Sequence, residues 1–84
     1  MAGLNFYTDI LKTQNLTRMQ KKTLKAIEQF IIKHKYSPSQ RELSDMLGLV
    51  GTKTVSIHLH HLRDKGYISF VDGQNRTIVV LEKV

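Results

Sequence analysis

The chain has 84 residues, a formal net charge of +6 and no cysteine. This length accommodates one small domain with a compact core. The lack of cysteine excludes disulfides, thiolate metal sites and thiol catalysis, and it fits a reducing compartment. The excess of lysine and arginine favours a polyanionic partner such as nucleic acid, but it also fits an ordinary basic surface.

The sequence shows no targeting or membrane-spanning pattern. Residues 1–15 have neither the basic region nor the apolar region of a signal peptide. No apolar run approaches the roughly 20 residues of a membrane-spanning helix. We therefore expect a cytoplasmic protein that has no membrane partner and no evident small-molecule ligand.

The first segment of the chain is a short amphipathic stretch. Within residues 4–12 the apolar side chains recur at helical spacing. They are Leu4, Tyr7, Ile10 and Leu11. Since a helix of this length is marginal alone, it needs the domain or a partner to pack against. We assign residues 1–15 to an N-terminal extension for packing or dimerisation, in which Phe6 joins these four as an apolar contact residue, and residues 16–84 to one domain.

The first strong helical pattern begins at Leu16–Thr17, where Thr17 is suited to be the N-cap. Seven side chains then recur on one face with a period of 3.6 residues. They are Met19, Thr23, Leu24, Ile27, Phe30, Ile31 and His34. We expect His34 to be partly buried at the helix end. The lysine-rich opposite face is interpreted as a solvated surface. Ile32 does not fit this face, and we expect it to cover the N-terminal segment or a partner.

A second, short helix is predicted after Pro38. Ser37 precedes the proline and is therefore biased away from helical backbone. Ser39 and Glu42 then have the spacing of an S-x-x-E capping box. Its inward side chains are predicted to be Leu43, Met46 and Leu47. Gly48 stands where a glycine commonly ends a helix.

A third helix and a hairpin complete the pattern. Val55, Leu59 and Leu62 form the apolar stripe of a helix over about residues 52–65. Two β-prone segments then flank an Asp-Gly turn. They are residues 67–71 and 77–81, with the turn at Asp72–Gly73. We predict a mainly α fold with a small β-hairpin (α+β), a winged helix-turn-helix with three helices and a wing.

The region from Leu16 to Leu81 resembles the N-terminal DNA-binding domain of LexA-type repressors. The matching motifs are Leu16–Thr17, the run SPSQRELSDMLGL from Ser37 to Leu49, and TV…HL…LRDKGYI from Thr54 to Ile68. The resemblance implies an operator-binding winged helix. LexA repressors continue into a domain with a self-cleaving Ser–Lys dyad that also forms the dimer. This chain contains neither, so we expect no self-cleavage and no enzyme activity.

The outward face of the third helix has the side chains of a recognition helix. Lysine can donate to guanine, an apolar side chain can contact a thymine methyl, and hydroxyls allow close approach. The residues that we expect to read bases are Lys53, Thr54, Ser56 and Ile57. Gly51 and Thr52 are expected at the groove edge or on phosphate. The resemblance to LexA-type repressors implies that this part of the third helix contacts bases.

Three closely spaced histidines raise the alternative of a metal site. Zinc takes three or four converging ligands, but only His58 and His61 share a helix edge and His60 points elsewhere. We therefore predict no metal and no cofactor. His60 and His61 are expected to face phosphates along the outward side of the helix. His58 is expected to be structural, at the edge of the core stripe.

Two other elements are expected to hold the DNA backbone. The wing tip, residues 72–77, offers three side chains for phosphate or the minor groove, although Asp72 would repel phosphate. They are Gln74, Asn75 and Arg76. The start of the second helix offers a positive helix terminus. Its residues are Ser39, Gln40 and Arg41, with an ordinary exposed charge as the equal alternative for Arg41.

These features favour a sequence-specific regulator that binds double-stranded DNA, a transcriptional repressor acting by operator occupancy. The third helix is expected in the major groove and the wing on the backbone or in the minor groove. Because one module of this size contacts limited DNA, we expect two copies on a pseudo-palindrome, joined through the extension. The alternatives are a winged-helix module for protein–protein interaction, and a plasmid or phage replication or partition factor.

Overall fold

The computed structural model describes residues 16–82, so the predicted extension over residues 1–15 lies outside the described residues. The elements in chain order are α1 (Arg18–His34), α2 (Gln40–Leu47), α3 (Lys53–Asp64), β1 (Ile68–Ser69) and β2 (Val79–Val80). The two strands are antiparallel, with Ile68 opposite Val80 and Ser69 opposite Val79. The predicted mainly α winged helix-turn-helix is confirmed.

Both predicted N-caps are present with full capping boxes. The Thr17 hydroxyl accepts a hydrogen bond from the Gln20 N–H at 3.1 Å, and the Gln20 side chain accepts one from the Thr17 N–H at 3.1 Å. The same reciprocal pair joins Ser39 and Glu42 at the start of α2. Each box satisfies two backbone donors that would otherwise lack a partner at the helix start.

The turn between α2 and α3 is held from inside the domain. Gly48 and Gly51 have φ values of 71° and 72°, in the left-handed region that glycine adopts without a steric penalty. The Ser44 hydroxyl lies close to the carbonyls of Leu49, at 3.1 Å, and of Gly51. Ser44 thereby fixes the path of the turn that positions the start of α3.

A single core joins the three helices to the hairpin. Its buried members are Leu16, Leu24, Ala26, Ile27, Leu43, Val55, Leu59, Leu62, Tyr67, Ile68 and Ile78. The three α3 members, Val55, Leu59 and Leu62, have no exposed surface. Burying one such side chain stabilises the fold by about 1.5–3 kcal/mol. The rotation of α3 about its axis is therefore set by its buried stripe, as predicted, and its other side faces outward.

Three details differ from the sequence-based expectations. Met46 was predicted to point inward from α2, but it is 45% exposed. The polar side chain of Ser44 is buried on this helix. His34 is exposed, with its ring centroid 4.2 Å from that of Phe30. The strands are shorter than predicted because the Val71 N–H donates to the Thr77 hydroxyl at 2.9 Å and not to a strand carbonyl. Within residues 16–82 no helix has both the length and the apolar character needed to cross a membrane.

Candidate nucleic-acid interface

The first half of α3 presents most of the predicted base-reading residues to the outside. Lys53 and Thr54 are exposed, and the Ile57 side chain is 49% exposed. Ser56 is half-buried, and its carbonyl accepts a hydrogen bond from His60 Nδ1 at 2.8 Å. The outward face therefore combines a cation, a hydroxyl and an apolar side chain over slightly more than one turn.

A polar cleft of about 550 Å³ lies beside this face. It brings together predicted site residues from the start of α2, the start of α3 and the wing tip. The lining residues are Ser39, Gln40, Arg41, Thr52, Gly73, Gln74, Asn75 and Arg76. Gly51 and Thr52 also line an adjoining hollow together with Arg41. Segments that are far apart in the sequence thus form one continuous polar surface.

The start of α2 contributes backbone donors to the cleft. The Ser39 hydroxyl accepts from the Glu42 N–H at 3.1 Å, so this side chain shapes the helix start. The N–H groups of Gln40 and Arg41 belong to the first turn, where a helix supplies no backbone acceptor. A helix N-terminus carries a partial positive charge. The geometry suits a phosphate or another anion in the cleft.

Arg76 differs from the free, DNA-directed side chain that the sequence suggested. Its guanidinium donates to both Glu42 carboxylate oxygens, at 2.9 and 3.1 Å. It also donates to the Ser37 carbonyl at 3.2 Å and lies 4.9 Å from the centre of the Tyr36 ring. Arg76 therefore ties the wing to α2. The predicted contact of its guanidinium with phosphate or the minor groove stays a prediction.

Arg76 and Glu42 shift each other's pKa values. Hydrogen bonds from the Ser39 N–H and then from Arg76 hold the pKa of the Glu42 carboxyl below its usual value. The hydrogen bond to Glu42 raises the pKa of Arg76. Both groups are consequently charged at neutral pH, and the bidentate pairing of a guanidinium with a carboxylate has a defined geometry.

A second tie joins the wing to α3. Arg63 Nη1 and His60 Nε2 lie 3.3 and 3.4 Å from Asp72 Oδ1. The Arg63 guanidinium stacks over the Phe70 ring at 4.2 Å. Asp72 is thus turned toward the Arg63 guanidinium and the His60 ring. His60 contacts the wing and, like His61, is exposed, so the phosphate contacts of both histidines stay predictions.

His58 lies at the edge of the core, as predicted. Its Nδ1 atom is buried and has no hydrogen-bond partner among the residues described. Burial, followed by the charge of His61, lowers the pKa of His58 below the ordinary value of 6.5. In the part of the chain that the structure describes, histidine and acidic side chains form no group of three that could hold a metal ion.

Sequence reasoning missed Glu42, Arg63 and Ser44 as residues that organise this surface. Glu42 was identified only as a capping residue, although its carboxylate also binds Arg76, 34 positions away. Arg63 sits in the last turn of α3, a common position for a solvated cation. The contacts of Ser44 and Arg63 lie five to nine positions away, in loops that carry no helical or strand periodicity.

The amino-acid sequence is similar to that of known LexA proteins. The family model of the LexA DNA binding domain matches residues 13–77. The chain is 41% identical over 69 residues to the LexA repressor of Desulfatibacillum aliphaticivorans, covering 82% of the chain and 34% of the relative. It is 36% identical over 67 residues to the LexA repressor of Geobacillus thermodenitrificans, covering 80% and 32%.

A third relative has a different name and a similar match. The transcription regulator LexA of Synechocystis is 31% identical over 68 residues, covering 81% of the chain and 34% of the relative. The chain spans about a third of the length of the curated relatives that it matches. The matched region contains α1, α2, α3, β1 and the wing tip. The chain belongs to the LexA DNA-binding domain family.

Proposed function

We propose that this chain is a sequence-specific transcriptional repressor that binds double-stranded DNA and acts by occupying its operator. The observation that carries the proposal is the single surface formed by the outward face of α3 and the polar cleft beside it. Family membership supports it, since the relatives are named LexA repressor or transcription regulator LexA. Their repressor role is assigned to this much shorter chain on that basis.

In this proposal α3 enters the major groove with its first turns against the bases. Lys53 donates to a guanine, Thr54 bonds a base edge, and Ile57 contacts a thymine methyl, which are interactions that base edges in this groove support. Ser56 is half-buried, so its hydroxyl reaches only a base that lies close to the surface of α3. Since these residue types set the preference for particular bases, the operator is defined chiefly by these α3 positions.

The DNA backbone is proposed to follow the cleft. The N–H groups and side chains of Gln40 and Arg41 bind one phosphate at the start of α2, and Ser39 maintains that helix start. Gly51 and Thr52 lie where the strand passes toward α3. Gln74 and Asn75 approach the neighbouring backbone from the wing, and His61 lies further along α3. Such contacts fix the register of a protein on DNA without reading its sequence.

Two copies of the chain are proposed to occupy a pseudo-palindromic operator. A single small module buries limited DNA surface, and twofold symmetric sites match two identical readers. The division at residue 15 is part of the proposal: residues 1–15 join the copies and residues 16–84 bind DNA. We propose a regulator that is not an enzyme and that resides at the nucleoid.

The salt dependence of DNA binding tests the proposal against the protein–protein alternative. The affinity of the purified protein for duplex fragments should fall steeply between about 50 and 200 mM salt, because phosphate contacts release counterions. The measurement is fluorescence anisotropy on labelled duplexes, with a single strand of the same sequence as control. Binding that does not depend on salt, or that is no tighter to the duplex than to the single strand, would contradict the proposal.

A further inference from the structure

An apolar groove of about 360 Å³ lies between α1 and β2. Its lining residues are Glu28, Ile31, Ile32, Ser37, Ile78, Val79 and Val80, none of which lines the polar cleft. Two of its apolar side chains face outward, with Ile32 65% exposed and Val79 54% exposed. Large apolar side chains grouped on a basic surface indicate a place where another apolar segment packs.

Glu28 adds a polar requirement to this groove. Its Oε2 atom is buried and has no hydrogen-bond partner among residues 16–82. Leaving a buried carboxylate oxygen without a donor is unfavourable. The occupant that fits the groove therefore carries apolar side chains together with at least one hydrogen-bond donor.

We propose that this groove receives residues 4–11 of a second copy of the chain. The segment has a stripe of apolar residues at helical spacing, Leu4, Tyr7, Ile10 and Leu11. Asn5, the Tyr7 hydroxyl and Thr8 supply hydrogen-bond donors for Glu28. Residues 1–15 contain one aspartate and one lysine, so the segment adds little repulsion when it approaches a basic partner.

The position of the groove favours a second copy over the segment's own chain. Leu16, the first described residue, precedes α1 by two residues, and along α1 the groove extends from Glu28 to Ile32. From Arg18 these residues are about 15 and 21 Å away along the helix. The chain between Leu16 and Leu11 spans at most about 18 Å when fully extended, and turning back along α1 shortens this reach.

Within one chain, Ile10 and Leu11 would consequently lie over the earlier part of α1. Lys21 and Lys25 occupy that part of the same face, since each precedes a groove residue, Glu28 or Ile32, by two helical turns. Apolar side chains gain little by covering two lysines. A segment from a second copy is free of this restriction and can place all four apolar residues in the groove.

Reciprocal docking would produce a closed dimer. Each copy contributes one segment and one groove, so a twofold axis satisfies both contacts and leaves no open binding site for a third copy. The polar cleft remains free, because the two sites share no residues. The inference rests on the proposed function only for its use of two copies per operator.

Disulfide trapping tests the docking directly, because the chain has no native cysteine. Full-length Leu4→Cys, Tyr7→Cys and Ile10→Cys proteins are each mixed with a differently tagged Ile32→Cys protein and oxidised mildly. We expect at least one covalent heterodimer that forms at least tenfold faster than with Lys25→Cys, an exposed control on the same helix. Equal rates with both partners would overturn the proposal.

The double variant Ile10→Cys/Ile32→Cys distinguishes the two sources of the segment. Docking between copies predicts covalent dimers whose yield increases with protein concentration. A monomer that closes internally at every concentration would overturn the proposal in favour of the chain's own segment. Binding of the same proteins to a half-site duplex is measured in parallel, so that a failure of docking is separated from a failure of DNA binding.

Discussion

Arg76 in the wing and Glu42 in α2 are joined by two parallel hydrogen bonds of 2.9 and 3.1 Å. The same Glu42 carboxylate accepts the Ser39 N–H at 2.9 Å and so completes the cap of α2. One side chain therefore fixes both the helix start and the wing, which are opposite walls of the polar cleft. Glu42 thereby holds the wing at a fixed distance from the start of α2 without having to contact DNA.

Replacing Glu42 by glutamine tests this positioning role. Glutamine is also found in capping boxes, so Glu42→Gln should keep the α2 cap while it loses the ion pair with Arg76. We expect the affinity for an operator half-site to fall by about two- to fivefold, the effect of one exposed ion pair. The measurement is anisotropy at fixed salt. Tighter binding after this loss of a negative charge would show that Glu42 acts only by repelling phosphate.

Arg76→Lys provides the matched change on the wing. Lysine keeps the positive charge but cannot make the bidentate pairing. We expect a loss similar to that of Glu42→Gln and an unchanged dependence of the affinity on salt. In the double variant the losses should be less than additive, as for residues in direct contact. A reduced salt slope for Arg76→Gln, which removes the charge, would instead indicate a direct phosphate contact.

The α3 readers are tested by changes in base preference. Lys53→Ala should weaken binding by about 1–3 kcal/mol and relax the preference at one base pair of the half-site, because a specific donor to the base is removed. Ile57→Ala should relax the preference for thymine at another position. Competition between half-sites with single base changes measures both effects.

Lys25→Ala is the matched control for Lys53→Ala, since it removes an equal charge from an exposed position on α1. It should reduce nonspecific attraction slightly and leave the base preference unchanged. If Lys53→Ala and Lys25→Ala had the same effects, the assignment of Lys53 as a base reader would be wrong.

His58 should make the stability of the domain depend on pH. Because burial lowers its pKa in the folded state below 6.5, the unfolded chain binds the proton more readily. The stability that neutral His58 contributes is thus fully present above pH 6.5, the ordinary pKa. It is lost as the pH falls through the lower pKa of His58 in the folded state. We expect the melting temperature to fall between pH 7.5 and 5.5, as followed by circular dichroism.

The variant His58→Gln should show a smaller decrease over the same range, because the buried titrating group is gone. His61→Gln should have a weaker effect in the same direction, since the charge of His61 is the secondary cause of the shift. An unchanged pH profile in His58→Gln would assign the dependence to other groups.

The α2–α3 turn depends on a buried hydroxyl. Ser44 is 2% exposed, and Ser44→Ala removes its hydrogen bonds and leaves the Leu49 and Gly51 carbonyls with fewer donors. We expect a loss of about 1–3 kcal/mol in the free energy of unfolding. Urea denaturation measures it, with Ser69→Ala at an exposed site as the control. A loss below about 0.5 kcal/mol would mean that the backbone alone holds the turn.

The helices were predictable because their signals are local. Thr17 and Ser39 mark helix starts by side chains that bond three residues ahead, and the stripe of Val55, Leu59 and Leu62 repeats at helical spacing. The outward face of α3 follows directly from that stripe. The family resemblance could likewise be recognised, since its motifs are contiguous runs of residues.

The remaining details depend on contacts between distant segments. Met46 has the spacing of a core residue, but α2 is only eight residues long and its neighbours do not cover that edge. Periodicity cannot show that Arg76 bends back to Glu42 or that Asp72 turns toward Arg63. Those pairings decide which charges of the wing remain available to DNA, and they required the three-dimensional arrangement.

Selection of DNA from a random duplex library by the full-length protein, followed by titration of the enriched duplex across salt, tests whether the chain reads an operator. We expect enrichment of an inverted repeat. The logarithm of the affinity for it should fall linearly with the logarithm of the salt concentration. Lys53→Ala should select an altered half-site. An absence of enrichment, or affinity that salt leaves unchanged, would contradict sequence-specific DNA binding by this surface.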